Sequence, residues 1–243
     1  LHESQYGKQV INQLPECQVI NLHWIANFVD YPSFFSTLPK SAAIVWTLHD
    51  MNPFTGGCHY DNHCQKFKTG CGFCPQIGSE RQKDLSYEIW NRKKRLFKAI
   101  SNIPFHIVTP SRWLAKEAQQ SPVFENIPVT VIPNGVDLNI FKPTDKIYSR
   151  ELLGIPKESK VLLFVAESVL SLRKGFHFLI NALADIEDLS NLHLVSIGNT
   201  EARLKLNYPH LQVGVVKKEN YLSLIYNAAD LFVIPSLQDN LPN

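Results

Sequence analysis

Two adjacent cations, Arg173 and Lys174, stand directly before Gly175 and a stretch whose apolar spacing predicts a helix over 176–183. The pattern suits a diphosphate, which needs fixed positive charge and the unpaired N–H groups of a helix start, here Gly175 to His177. Ser236, Asp239 and Asn240 are short hydrogen-bonding side chains of the kind that hold sugar hydroxyls, and Gly198-Asn199 stands at a comparable place. Any one of these alone also reads as a solvated loop residue or a turn former. What distinguishes them is a shared position at the ends of apolar strands. His49 also ends such a strand, where it could meet a ligand or simply satisfy a strand-end carbonyl; His23, placed similarly, reads as structural.

The cysteines carry a second chemistry. Four of the five, Cys58, Cys64, Cys71 and Cys74, fall in a segment over 55–76, with five, six and two residues between them. The closing Cys-x-x-Cys lets two thiolates share one metal, so tetrahedral zinc leads the readings, with His59 or His63 able to replace a cysteine. Packed thiols, disulfides and an iron-sulfur site stay open beside it. The segment has few apolar residues, so a metal would supply order that it otherwise lacks. Cys17 precedes an apolar strand and reads as core.

The elements that position these residues alternate. Apolar strands over 161–166, 192–197 and 231–234 end at the phosphate and sugar candidates, and helical patterns over 176–183 and 220–229 lie between them. Continuously apolar strands alternating with helices imply a parallel sheet covered on both faces, with ligands at its carboxyl edge. Earlier in the chain, strands are expected over 17–24, 42–48, 105–109 and 129–132, with the clearest helix over 87–100. Arg92, Lys93, Lys94, Arg95 and Lys98 give that helix a basic face, solvated or laid against anionic lipid. Pro133-Asn134-Gly135 ends the last of these strands, and Lys142-Pro143-Thr144-Asp145 has the polarity of a linker. The expected domains are 1–136, carrying the cysteine segment, and 137–243.

Composition bounds the alternatives. A chain of 243 residues with 44% hydrophobic content can build two cores. A net charge of +2, with no basic stripe interleaved with aromatics, argues against nucleic acid as a partner. No run of eighteen apolar residues occurs and the first residues do not form a signal peptide, which points to a cytoplasmic protein, peripheral at the inner membrane face at most.

Several segments together resemble the retaining family 4 glycosyltransferases of the GT-B fold, with the likeness nearest to bacterial enzymes of surface-polysaccharide synthesis that carry a similar cysteine-rich insert. The matching pieces are Thr47-Leu48-His49-Asp50, Thr109-Pro110-Ser111-Arg112-Trp113-Leu114, Ile132-Pro133-Asn134-Gly135-Val136-Asp137, Phe141-Lys142-Pro143, Arg173-Lys174-Gly175, and Ala228-Ala229-Asp230-Leu231-Phe232-Val233-Ile234-Pro235-Ser236. The resemblance implies an α/β protein of two Rossmann-like domains facing across a cleft, both incomplete in an internal fragment. It implies transfer of a hexose from a UDP- or GDP-sugar to a glycan or lipid-linked acceptor, with retention and no catalytic metal. It places His49 near the transferred sugar as a hydrogen-bonding group, Arg173 and Lys174 on the diphosphate, Asp239 on sugar hydroxyls, and the N–H groups of Asn240 and Leu241 beside them. One departure stands out: Ala166-Glu167-Ser168 occupies the place of the family's usual Gly-Arg, so the second cation must come from Arg173 or be missing. A phosphate-ligand binding protein without catalysis would show the same rim, and a zinc-stapled interaction module would need only the insert.

Overall fold

Runs dense in Val, Ile and Leu become parallel strands, and Asp or Ser residues just ahead of amphipathic runs open the helices. The computed structural model describes residues 6, 9–39, 41–200 and 204–241. Contacts divide the chain into two units, Leu1–Asn134 with Asn240–Asn243, and Gly135–Asp239.

In the first unit, β1 (Val19–Leu22), β2 (Ala43–Thr47), β3 (Phe105–Thr109) and β4 (Val129–Val131) form a parallel sheet in that order. Helices α1 (Tyr31–Ser36), α2 (Leu85–Ala99) and α3 (Arg112–Gln119) are opened by the side chains of Asp30, Asp84 and Ser111, each accepting from a first-turn N–H. Phe35, Trp46, Phe97, Phe105 and Phe124 build an aromatic core with ring centroids 5.1 to 6.4 Å apart. Such tilted and edge-on contacts add to the burial of large apolar surfaces.

Helix α2 departs from expectation in one respect. Arg92, Arg95 and Lys98 are exposed, but Lys93 is buried at 7% exposure. It shares a helical face with Trp90 and Phe97, three residues before and four after, and that face turns inward. Its ammonium is satisfied by the carbonyls of Asn52 and Thr55 at 2.5 and 3.1 Å.

In the second unit, β5 (Lys160–Ser168), β6 (Leu192–Asn199), β7 (His210–Gly214) and β8 (Leu231–Phe232) form a parallel sheet in the order β7-β6-β5-β8. Helices α4 (Lys146–Leu153), α5 (Phe176–Ala184) and α6 (Glu219–Ala228) complete it. Alternate residues of β5 and β6 feed opposite faces: Leu162, Phe164 and Leu194 pack with Phe176, Leu179 and Leu183, whereas Val161, Leu163, Val195 and Ile197 pack with Ile155 and Ile225. Both faces are covered, as continuously apolar strands require. Two parallel-sheet, Rossmann-like units therefore make up this α/β chain. The strand expected over 231–234 pairs only at Leu231 and Phe232, because it lies at the sheet edge with β5 as its one neighbour. Strand β7 and helices α1 and α3 lacked a periodic signal strong enough to be read.

Candidate functional site

Strand order creates the first rim. β5 lies between β6 and β8, so the direction of winding reverses between β5 and β8, and the loops leaving these two strands part at their carboxyl ends. Open α/β sheets bind ligands in the crevice at such a reversal. The loop after β5 carries Arg173 and Lys174; the loop after β8 carries Ser236 and Asp239. Leu237 N–H donates to the Arg173 carbonyl at 2.9 Å, joining the two loops. Gly175 permits this: its φ is +76°, and a Cβ there would lie 2.1 Å from the Pro235 carbonyl oxygen.

Here the three charged candidates meet one another. Lys174 Nζ lies 2.5 Å from Asp239 Oδ2, and Arg173 Nη1 lies 3.4 Å from Oδ1 while donating to the Gln238 carbonyl at 2.7 Å. Ser236 Oγ donates to Asp239 Oδ2 at 3.2 Å. Burial pushes the Asp239 carboxyl up, but the Lys174 hydrogen bond and the charges of Lys174 and Arg173 outweigh it and hold the group below its ordinary range. Asp239, expected to hold sugar hydroxyls, here pairs with the phosphate candidates and neutralises part of their charge. The trio keeps one net positive charge beside α5, whose first amides have no intrahelical acceptor.

Gly198 has a packing explanation. Its φ is +136°, and a Cβ there would lie 2.0 Å from the Ala166 carbonyl oxygen, where β5 and β6 close on each other. Asn199 is exposed, and its carbonyl accepts from Val169 N–H at 3.0 Å. Leu241 is exposed with φ +46°. Asn240 belongs to the first unit, where its carboxamide accepts from Ser111 Oγ at 2.7 Å and donates to the His49 carbonyl at 2.9 Å.

The second rim lies at the ends of β1 and β2. His49 Nε2 and His23 Nδ1 are 3.0 Å apart, and Asn21 Nδ2 lies 3.3 Å from His23 Nε2. With Asn21 donating, His23 Nε2 accepts, so its proton sits on Nδ1 and His49 Nε2 accepts in turn. Burial, then the neighbouring His23, lower the His49 pKa against the opposing pull of Asp50. A neutral, oriented imidazole results, suited to hydrogen bonding. His23 is thus the direct partner of His49, and Trp46 Nε1 fixes it further by donating to the His23 carbonyl at 2.7 Å.

Asp50 is the organiser that motif reading passed over. Its Oδ2 accepts from Trp24 Nε1 at 3.1 Å and pairs with His59 Nδ1 at 2.7 Å, and its Oδ1 accepts from Asn52 N–H at 2.8 Å. The hydrogen bond to Asp50 raises the His59 pKa over the opposing effect of burial. The signal was its adjacency to His49 at a strand end.

His59 reaches this rim from the cysteine segment, which is not an autonomous knuckle. Phe54 and Phe67 are buried and stack edge-on with centroids 5.4 Å apart, and Trp90 Nε1 donates to the Phe67 carbonyl at 3.0 Å. Asp84 caps α2 and also accepts from Cys74 N–H at 2.9 Å. Hydrophobic burial and polar staples therefore hold the segment against the domain core. Among the described residues no group of three or more His, Cys, Asp or Glu is arranged to hold a metal ion. The four cysteines are free thiols, and burial, reinforced by the charge that a neighbouring thiolate would carry, pushes Cys58 up to about 11 and Cys71 up to about 12.

Residues 145–242 match the family model for glycosyl transferases group 1. A putative colanic acid biosynthesis glycosyl transferase of Escherichia coli is 30% identical over 121 residues, 47% of this chain and 28% of that protein. Sucrose-phosphate synthase of Thermosynechococcus elongatus superposes with a TM-score of 0.60 at 18% identity, over 93% of this chain and 52% of that one. HepE of Anabaena, in complex with UDP and glucose, superposes with a TM-score of 0.56 at 16% identity, over 96% and 56%. The chain thus shares the fold of the two solved structures over about half of their length, and spans little more than a quarter of the length of the Escherichia coli relative.

Proposed function

We propose that the protein is a group 1 glycosyltransferase of polysaccharide synthesis that moves a hexose from a nucleoside diphosphate sugar to an acceptor hydroxyl with retention. The observation that carries this reading is Arg173 and Lys174 at the strand reversal beside the first turn of α5, in the region that matches the group 1 model. UDP and glucose bound to the similarly folded HepE favour UDP over GDP in the donor.

As the anomeric C–O bond breaks, its electron pair leaves on the diphosphate, and the acceptor hydroxyl bonds the anomeric carbon through its oxygen while its proton passes to the departing diphosphate oxygen. Arg173, Lys174 and the α5 amides stabilise the departing charge, an effect of roughly 3 kcal/mol for a strong preorganised donor. The proposal assigns no catalytic metal. Gly175, Gly198, Asn199 and Ser236 shape the donor rim, and the Asn240 and Leu241 amides are assigned to donor binding as well. Asp239 exchanges its cations for the diphosphate and turns to the sugar hydroxyls, and His49 hydrogen-bonds the transferred sugar. The acceptor is a glycan or lipid-linked sugar, reached at the inner membrane face through the exposed Arg92, Arg95 and Lys98; among the described residues no helix is long and apolar enough to cross a membrane.

Lys174→Ala tests the reading. Turnover at saturating UDP-glucose should fall about a hundredfold, the equivalent of roughly 3 kcal/mol. Unchanged kinetics would refute the diphosphate role.

Zinc shared by Cys58, Cys64, Cys71 and Cys74 belongs to the same proposal. Their spacing and mutual electrostatic influence support it. The metal would have to displace protons that burial holds on the thiols. Protein purified without chelator, under reducing conditions, should carry about one equivalent; less than a tenth, with four reactive thiols, removes zinc from the reading.

A further inference from the structure

The exposed side of the first unit's rim is built like a sugar platform. Trp24 is 55% exposed although its indole N–H is fixed, donating to Asp50 Oδ2 at 3.1 Å. The His59 ring lies 6.0 Å from the indole, tilted by 30°, and its Nδ1 is held by the same carboxylate oxygen at 2.7 Å. The His59 side chain is 47% exposed. One buried carboxylate thus holds together two aromatic side chains that are both about half exposed.

A flat apolar face with a fixed polar group at its margin matches a pyranose, which has an apolar C–H face and hydroxyls around its edge. Preorganisation matters because a weak ligand cannot meet the cost of ordering its own site. An exposed tryptophan serving only packing would not need its edge tied by a carboxylate shared with a histidine from a distant loop.

We infer that Trp24 and His59 form a subsite for a pyranose ring of the acceptor. The indole stacks on the sugar, His59 Nε2 bonds one of its hydroxyls, and Asp50 acts as the positioning residue for both. The cysteine segment gains a role by delivering His59 to this rim. The acceptor assignment rests on the glycosyltransferase reading, whereas the pyranose site itself can be tested apart from it.

The probes are methyl β-D-glucopyranoside and methyl β-D-galactopyranoside, observed by saturation-transfer NMR with the intact protein. At least one should show saturation concentrated on ring protons, and Trp24→Ala should weaken its binding at least tenfold. Trp24→Phe should restore part of the affinity. His59→Asn, which can keep the Asp50 contact but lacks Nε2, should weaken binding severalfold without shifting Tm. Absence of saturation with the native protein, or equal binding by Trp24→Ala, would overturn the subsite. So would a fall in Tm large enough to account for the loss, which would mark Trp24 as covered by other parts of the polypeptide. UDP-glucose hydrolysis is measured in parallel on the native protein; if that protein binds the glycosides but never cleaves UDP-glucose, the transferase reading falls and the pyranose site stands.

Discussion

Asp239 shows how one side chain can serve two partners in turn. Its carboxylate lies 2.5 Å from Lys174 and 3.4 Å from Arg173, the two cations proposed to receive the diphosphate. An incoming diphosphate must displace it or share them. Replacing it by the neutral isostere separates the effects. For Asp239→Asn, calorimetry should show UDP bound at least as tightly as by the native protein, because no carboxylate competes, while the added affinity for UDP-glucose over UDP is lost. Equal losses for both ligands would show that Asp239 serves the site only by holding the cations in place.

Two elements depend on single charged side chains, one buried and one at the surface. In the first unit, Lys93 on α2 ties down the carbonyls of Asn52 and Thr55, where the chain enters the cysteine segment. Its burial in low dielectric lowers its pKa to about 8. Lys93→Ala removes the ammonium from the Thr55 carbonyl, leaves the Asn52 carbonyl only its donors from Thr55, and opens a cavity, so a loss of about 3 kcal/mol is expected, with faster proteolysis within 55–76. Unaltered cleavage would show that Phe54 and Phe67 suffice. In the second unit, Asp230 leads into β8 and accepts from Arg150, Lys146 and Val161 N–H, clamping α4 and β5 to the strand. Burial opposes its ionisation, but these partners hold its carboxyl down at about 2. A depressed folded-state value stabilises above the unfolded pKa near 4, and that contribution is lost as pH falls through about 2. At 31% side-chain exposure the effect is screened to about 1 kcal/mol. Urea midpoints between pH 5 and pH 2 should therefore fall less steeply in Asp230→Asn than in the native protein.

At the scale of the molecule, each unit has its own core, and the four tryptophans, Trp24, Trp46, Trp90 and Trp113, all lie in the first. Tryptophan fluorescence therefore reports that unit. Phe35 is fully buried and contacts Trp46, Phe97 and Phe105. Phe35→Ala should lower the fluorescence-monitored stability by about 4 kcal/mol through lost burial and the cavity left behind. A shift under 1 kcal/mol would mean that the aromatic cluster collapses to fill the space.

Local chemistry by itself determined much of this protein. Apolar runs fixed the existence and parallel nature of the strands over 161–166 and 105–109, and Gly175 after two cations marked a helix start, because these signals depend on period and residue type within a few neighbours. The cysteine spacing and the strand-end position of His49 were legible in the same way. Strand order was not, since which strands pair depends on long-range packing, and only that order brought the loops after β5 and β8 to a common reversal. The Lys174–Asp239 pair spans 65 residues, His23–His49 spans 26, and Lys93 reaches Asn52 across 41. A basic residue on a helix reads as solvated until the fold turns its face inward, and the cations that a carboxylate meets cannot be read from its neighbours in the chain. Side-chain partnership at such separations follows from how the strands and loops pack, and no local pattern encodes it.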